Sequence, residues 1–277
     1  SKLIFLGHGM SAHTPWHLLV EAQNPQLGYA DQPYIFLEHN IQYRTQPTLS
    51  ESLTPNSGVL VVAPNFEDEP NIAMVDVQRN LDDDYSDLPG AKKEAAFLME
   101  EYHAHTIEGK SATIPIFERE ASNYGLLHLA THGYVDADHP EFSALLMQED
   151  SVYSGYLDIN LLSSMKLNAS LAVLSACNTG YSEKLVSGIG SQYIGRAFKQ
   201  AGVQGIVMTL WKSSDAFSPI FMKEFYRHLD SEHSVSEALG LARRGILSDS
   251  ELSDFHHPMY WGPFVLLGQD EVITVRH

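Results

Sequence analysis

The sequence predicts an α/β sandwich, a mostly parallel sheet with helices on both faces, and three observations carry the prediction. Short apolar runs alternate along the chain with longer segments that repeat apolar residues every three to four positions. Several runs are apolar nearly throughout, which suits strands buried on both faces rather than the alternation of a half-exposed sheet. An apolar fraction of 44% against 19% charged residues supplies enough side chain for a substantial core.

The strand candidates are residues 3–6, 34–37, 58–63, 126–131, 171–175, 205–210 and 264–267, each an apolar run beside turn or polar residues. The helix candidates are 90–103, 190–200, 219–229 and 235–247. Their ends carry the expected signals. Ser234 precedes the last helix with Glu237 three residues on, a capping box, and Gly202 follows the helix ending near Gln200, where a left-handed stop favours glycine. The chain shows no internal repeat and reads as one unit, 1–277, with an amino-terminal portion 1–88 and a core 89–277. The seam between them is an acidic, turn-rich stretch around 64–89.

The net charge of -18, from 35 acidic and 17 basic residues, makes the average surface repel nucleic acid and anionic lipid. Neither is an expected partner. The acidic runs 67–69 and 82–87 have two readings, a solvated loop or a calcium or regulatory site, because clustered carboxylates can supply hard oxygen ligands. One cysteine allows no internal disulfide and no thiolate zinc site. No apolar run approaches the roughly 18 residues needed to span a bilayer, and no basic-then-apolar secretion signal opens the chain, so a cytoplasmic domain is expected. A start at Ser1 without an initiator methionine reads as an excised piece of a longer chain or a processed product.

Two strand ends carry the candidate chemistry. The run Leu126-Leu127-His128-Leu129-Ala130-Thr131 stops at His132-Gly133, and the run Leu171-Ala172-Val173-Leu174 stops at Ser175-Ala176-Cys177-Asn178. Ligands of parallel sheets bind outside the carboxyl ends of the strands, so neighbouring strands would bring His132 and Cys177 to one rim. An ordinary thiol is only a few per cent thiolate at neutral pH; an imidazole beside it raises that fraction and later protonates the leaving amine. Gly133 lets the backbone approach a substrate, and its N–H with that of Cys177 can hold an oxyanion. The competing reading of Cys177 is a small buried apolar residue, and on these residues alone both stand.

The strings HLATHG, LSACNTG, GIGSQYIGRAFKQAGVQGIVMTLWKSSD and HPMYWGPFVLLG, in that order, resemble the CHAT family of caspase-like peptidases, relatives of separase, metacaspases and caspases often found beside tetratricopeptide repeats. The likeness covers residues 126–268, and 3–64 resembles the family's amino-terminal portion. The resemblance implies a caspase-like α/β/α sandwich with a His132 and Cys177 dyad and Gly133 in the oxyanion hole. It implies a cysteine endopeptidase, a thiol protease that hydrolyses a protein substrate through a thioester without metal or organic cofactor. A tetratricopeptide-type sensor or regulatory protein is the implied partner. Two positions differ from the family pattern. Gly7-His8-Gly9 stands where a Pro-Asp-Gly turn is expected, and Ser175 occupies the place where metacaspases carry an acid that binds a basic substrate side chain.

Other residues have paired readings. Asp215 is either the cap of a helix starting near Ser218 or an acidic floor for Lys or Arg before the cut, and Trp211 is either core or the wall of that pocket. His128 and His132 lie about 13 Å apart if on one strand, too far for one ion, so His128 reads as core or as support for the site. His8 is a rival base, His256 and His257 read as turn residues, and Asn178 as shaping the loop. The second class of function is a catalytically inactive caspase-like interaction module. A serine hydrolase is disfavoured because no Gly-x-Ser-x-Gly elbow occurs, and Gly188-Ile189-Gly190 is an incomplete dinucleotide fingerprint.

Overall fold

The computed structural model describes residues 1–6, 14–21, 24–44, 56–66, 87–134, 139–175, 177–178 and 189–275, with the backbone alone at 140, 177–178 and 189–192. Strands β1 (Lys2–Leu6), β2 (Asn40–Arg44), β3 (Val59–Ala63), β4 (His105–Glu108), β5 (Leu126–Leu129), β9 (Leu171–Leu174), β11 (Gly205–Thr209) and β12 (Phe264–Gly268) form one eight-stranded sheet. Its order is β1-β2-β12-β11-β9-β5-β3-β4, and every pairing is parallel except β11 with β12. The nearly all-apolar runs are the central strands: β3, β5, β9, β11 and β12 are buried along their whole length. The two outermost strands, β1 and β4, are the least buried, as strands covered on one side only must be.

Helices cover both faces. The major ones are α1 (Pro89–Tyr102), α4 (Ile189–Gln200), α5 (Ser218–Asp230) and α6 (Val235–Ser248), with shorter α2 (Ile114–Ala121), α3 (Ile159–Ser164) and α7 (Pro258–Trp261). Phe264 of β12 stacks on Phe221 of α5 with ring centroids 4.2 Å apart. Leu267 of the same strand packs under α4, where a Cβ added at Gly195 would lie 3.1 Å from its side chain. Residues three apart on a strand face opposite ways, so α5 and α4 lie on opposite faces of the sheet. Helices α1 and α6 flank α5, and α3 packs with α4. No helix of the described residues is long and apolar enough to cross a membrane.

A second, smaller sheet grows from the rim of the first. Its strands are β6 (His132–Tyr134), β7 (Ala144–Leu146), β8 (Tyr156–Asp158) and β10 (Cys177–Asn178), in the order β10-β6-β7-β8.

Three local expectations are corrected. Residues 34–37 are not a strand: Ile35–Leu37 is a 3-10 turn, and the strand follows at β2. Tyr34 and Phe36 instead pack their rings on Trp261, at 5.1 and 5.3 Å. Ser234 occupies the N-cap of α6 but makes no capping bond, because the Asp270 carboxylate accepts from both the N–H and the hydroxyl of Ser236 at 2.7 Å. Asp215 does not cap α5; it caps α1, as described below. The stop after α4 is as expected, with Gly202 at φ +107°.

Candidate active site

β5 and β9 are hydrogen-bonded neighbours, with Leu129 opposite Leu174 at their carboxyl ends. Past β5 the chain changes sheets. The Ala130 N–H still donates to Val62 of β3 at 2.9 Å, but the Thr131 hydroxyl turns to the Leu146 carbonyl of β7, and β6 begins at the next residue. β6 then pairs antiparallel with β7 on one side and parallel with β10 on the other. In that parallel pair Cys177 is the register partner of His132 and Asn178 that of Gly133. Adjacent strands lie about 4.8 Å apart, so the two residues, 45 positions apart in sequence, are backbone neighbours.

His132 is 2% exposed, and its ring meets Phe66 edge-on with centroids 4.9 Å apart. Phe66, Tyr134 and Leu146, with Tyr156 against them, form a small apolar cluster apart from the main core.

Beneath the rim lies a polar network inside the core. Ser175, which ends the β9 run, donates to Glu94 Oε1 at 3.0 Å, and Glu94 Oε2 lies 2.9 Å from His128 Nε2. His128 Nδ1 is 2.9 Å from the Tyr226 hydroxyl. Burial first, then the charge of Glu94 and the neighbouring Tyr102, push the Tyr226 phenol well above its ordinary pKa, so it stays a proton donor. Tyr226 O–H donating to Nδ1 leaves Nε2–H to donate to Glu94, and each proton then has an acceptor. Ser218 and Ser213 extend the chain of hydroxyls at 3.4 and 3.5 Å.

The remaining sequence candidates fall around this rim. Asp215 follows β11, and its Oδ2 accepts from the Gly90 N–H at 2.8 Å, so it holds the start of α1. Gly90 has to be a glycine for that approach, since a Cβ there would collide with the backbone and carboxylate of Asp215. Trp211 is partly buried and donates from Nε1 to the Met259 carbonyl at 3.0 Å. His257 accepts from the Met259 N–H at 3.1 Å and His256 bonds the Asp249 carbonyl at 3.0 Å, both turn roles. His8, the Gly188 fingerprint position and the acidic runs up to residue 86 lie outside the described residues. Among the described residues no three His, Cys, Asp or Glu side chains converge as metal ligands would.

Sequence reasoning passed over Glu94. Its signal was legible: it falls on the same stripe of α1 as Ala91, Ala95 and Leu98, and an acid on a buried face needs buried partners.

An eight-stranded, mostly parallel sheet covered on both faces, with a histidine and a cysteine paired at its rim, defines a caspase-like α/β/α sandwich. The chain belongs to the CHAT domain family, whose model matches residues 1–269. It is 30% identical over 141 residues to tetratricopeptide repeat protein 28 of Homo sapiens, a match covering 51% of this chain and 5% of that protein. The Mus musculus protein of the same name is 31% identical over 109 residues, covering 39% and 4%. The chain thus matches only about a twentieth of the length of these curated relatives. Among solved structures it resembles a chain of the Saccharomyces cerevisiae separase–securin complex, with TM-score 0.49, 13% identity, and 83% of this chain and 14% of that one covered. It also resembles the Arg-specific cysteine proteinase gingipain R, with TM-score 0.48, 10% identity, and 85% and 55% covered.

Proposed function

We propose that this chain is a cysteine endopeptidase domain in which Cys177 is the nucleophile and His132 its acid and base. The observation that supports it most is the register of β6 on β10, Cys177 against His132. In the proposed cycle the imidazole takes the thiol proton and the sulfur attacks the scissile carbonyl. The N–H groups of Gly133 and Cys177 hold the oxyanion, and the imidazolium protonates the leaving amine. Water, activated by the same imidazole, then hydrolyses the thioester. Ser175, Trp211 and Asp215 follow the ends of β9 and β11 and are the proposed lining of the pocket for the residue before the cut. A single cysteine, and hence no internal disulfide, is in keeping with work in the reducing cytoplasm.

The partner is proposed to be a protein substrate, under control of a tetratricopeptide-type sensor or a regulatory protein. The names of the matched relatives support the tetratricopeptide-type partner.

A second reading is an interaction module without catalysis, favoured by the burial of His132 behind Phe66. Cut-site mapping by mass spectrometry on a peptide library separates the two. The peptidase reading expects cleavage that Cys177→Ala and His132→Ala each remove, by at least about 100-fold, with circular dichroism unchanged. Equal cleavage by parent and variants would reject it. A preference for Lys or Arg before the cut would favour Asp215 as the pocket floor, and indifference to charge there would reject that assignment.

A further inference from the structure

Glu94 is 2% exposed, and its hydrogen bonds reach the segments that lead to His132 and to Cys177. His128, on β5, lies four residues before His132, and Ser175 lies two residues before Cys177. The two carboxylate oxygens are divided between them, Oε2 to His128 and Oε1 to Ser175. A single side chain of α1 therefore spans the adjacent strands β5 and β9 just where the chain leaves the large sheet for β6 and β10. The helix that carries it is itself fixed from a third strand: one turn ahead of Glu94, the Gly90 N–H donates to Asp215, beyond the end of β11.

Strand ends fray, because the ladder that holds them stops there and nothing beyond opposes their separation. β10 is two residues long and β6 three, too short to set their own register. We propose that Glu94 is a positioning residue: by bonding His128 and Ser175 at once it fixes the spacing of the β5 and β9 ends, and with it the β6–β10 register that sets Cys177 beside His132. Its bearing on catalysis rests on the peptidase reading; its bearing on the strand pairing does not.

The chemistry of the two donors explains why the residue is a glutamate. A carboxylate accepts from the Ser175 hydroxyl and from His128 Nε2–H together. A glutamine keeps one acceptor and offers an NH2, which His128 can accept by shifting its proton to Nδ1 toward the Tyr226 oxygen. An aspartate has the charge but is one methylene shorter, and it cannot reach both partners from the same helix position.

The test is amide hydrogen exchange followed by mass spectrometry on peptides covering 132–134 and 177–178, with β3 and β4 as internal reference. It is run beside the pH profile of Cys177 alkylation by iodoacetamide. Glu94→Ala and Glu94→Asp are expected to speed exchange in the two rim peptides by about 10-fold or more while the β3 and β4 amides hold their protection. In the same variants the alkylation midpoint is expected to move toward that of an ordinary thiol, about 8.5. Glu94→Gln should restore most of the protection. Unchanged rim exchange in Glu94→Ala, or a rise shared equally by β3 and β4, would overturn the proposal. If Glu94→Ala does not fold, Ser175→Ala decides, with about 3-fold faster rim exchange expected and no change overturning it. An ordinary alkylation midpoint in the parent, with rim exchange still dependent on Glu94, would sink the peptidase reading and leave the positioning role standing.

Discussion

Two fully buried histidines, His17 near the amino terminus and His128 in the central sheet, make the same kind of bonds among opposite charges. His17 sits between the Tyr43 hydroxyl at 2.9 Å and the Gly262 carbonyl at 2.7 Å, tying the segment before β2 to the turn before β12. Burial, and then the Arg243 guanidinium, hold its pKa well below the ordinary range, against the opposing pull of the Gly262 carbonyl. His128 has a tyrosine hydroxyl on one nitrogen as well, but a carboxylate on the other. The difference teaches what a buried imidazole is for. Beside a cation it is a neutral wedge that joins two segments. Beside an acid it becomes the middle of a chain that continues, through Glu94 and Ser175, to the segment that leads into β10.

The contrast can be broken by exchanging each ring for an apolar one. His128→Phe leaves a buried carboxylate without one of its donors, and losing a hydrogen bond to a buried charged group costs about 3 kcal/mol. Urea denaturation should show a loss of that order, with the far-UV spectrum retained in water. A loss under about 1 kcal/mol would mean that water or another donor reaches Glu94. His17→Phe strips the partner from a tyrosine hydroxyl and a carbonyl but strands no charge, so the same measurement should give a smaller loss, about 2 kcal/mol. If the two losses are equal, the charge beside His128 contributes nothing.

The third effect is in pH. His17 has a folded pKa below its unfolded value of about 6.5, so above that pH neither state binds the proton and its contribution is complete. As pH falls below about 6.5 the unfolded chain takes up a proton that the folded one refuses. Stability then drops by about 1.4 kcal/mol per pH unit until the folded pKa is reached. Denaturation midpoints from pH 7 to 5 should show this slope in the parent and a shallower one, by about one proton, in His17→Gln. Parallel slopes would show that His17 accepts a proton in place.

Much of the fold could be read directly. The runs that became β3, β5, β9, β11 and β12 are apolar on both faces, and only a doubly covered sheet satisfies such runs. The four long helices were legible because an amphipathic period holds over three or more turns, although the Ser234 cap read with the last of them makes no capping bond. β2 was not: Asn40, Gln42 and Arg44 interrupt its apolar residues, and Gln42 is tolerated in the interior because its side chain donates to the Gly268 carbonyl of β12. The run 34–37 misled because four apolar residues suit a strand or a tight turn equally, and Trp261, more than 200 residues away, made the choice.

Of the candidate site, the residue types and their strand-end placement were in the sequence: an apolar run ending at His132, another ending at Ser175 just before Cys177. Chain chemistry alone determined those, since each run must be buried and each must stop where polarity begins. Which strands are neighbours, that the rim strands leave for a second sheet, and that one glutamate on a distant helix bonds the approach to both were decided by the tertiary structure. Hydrogen bonds across 34 and 81 residues depend on packing that no local pattern encodes.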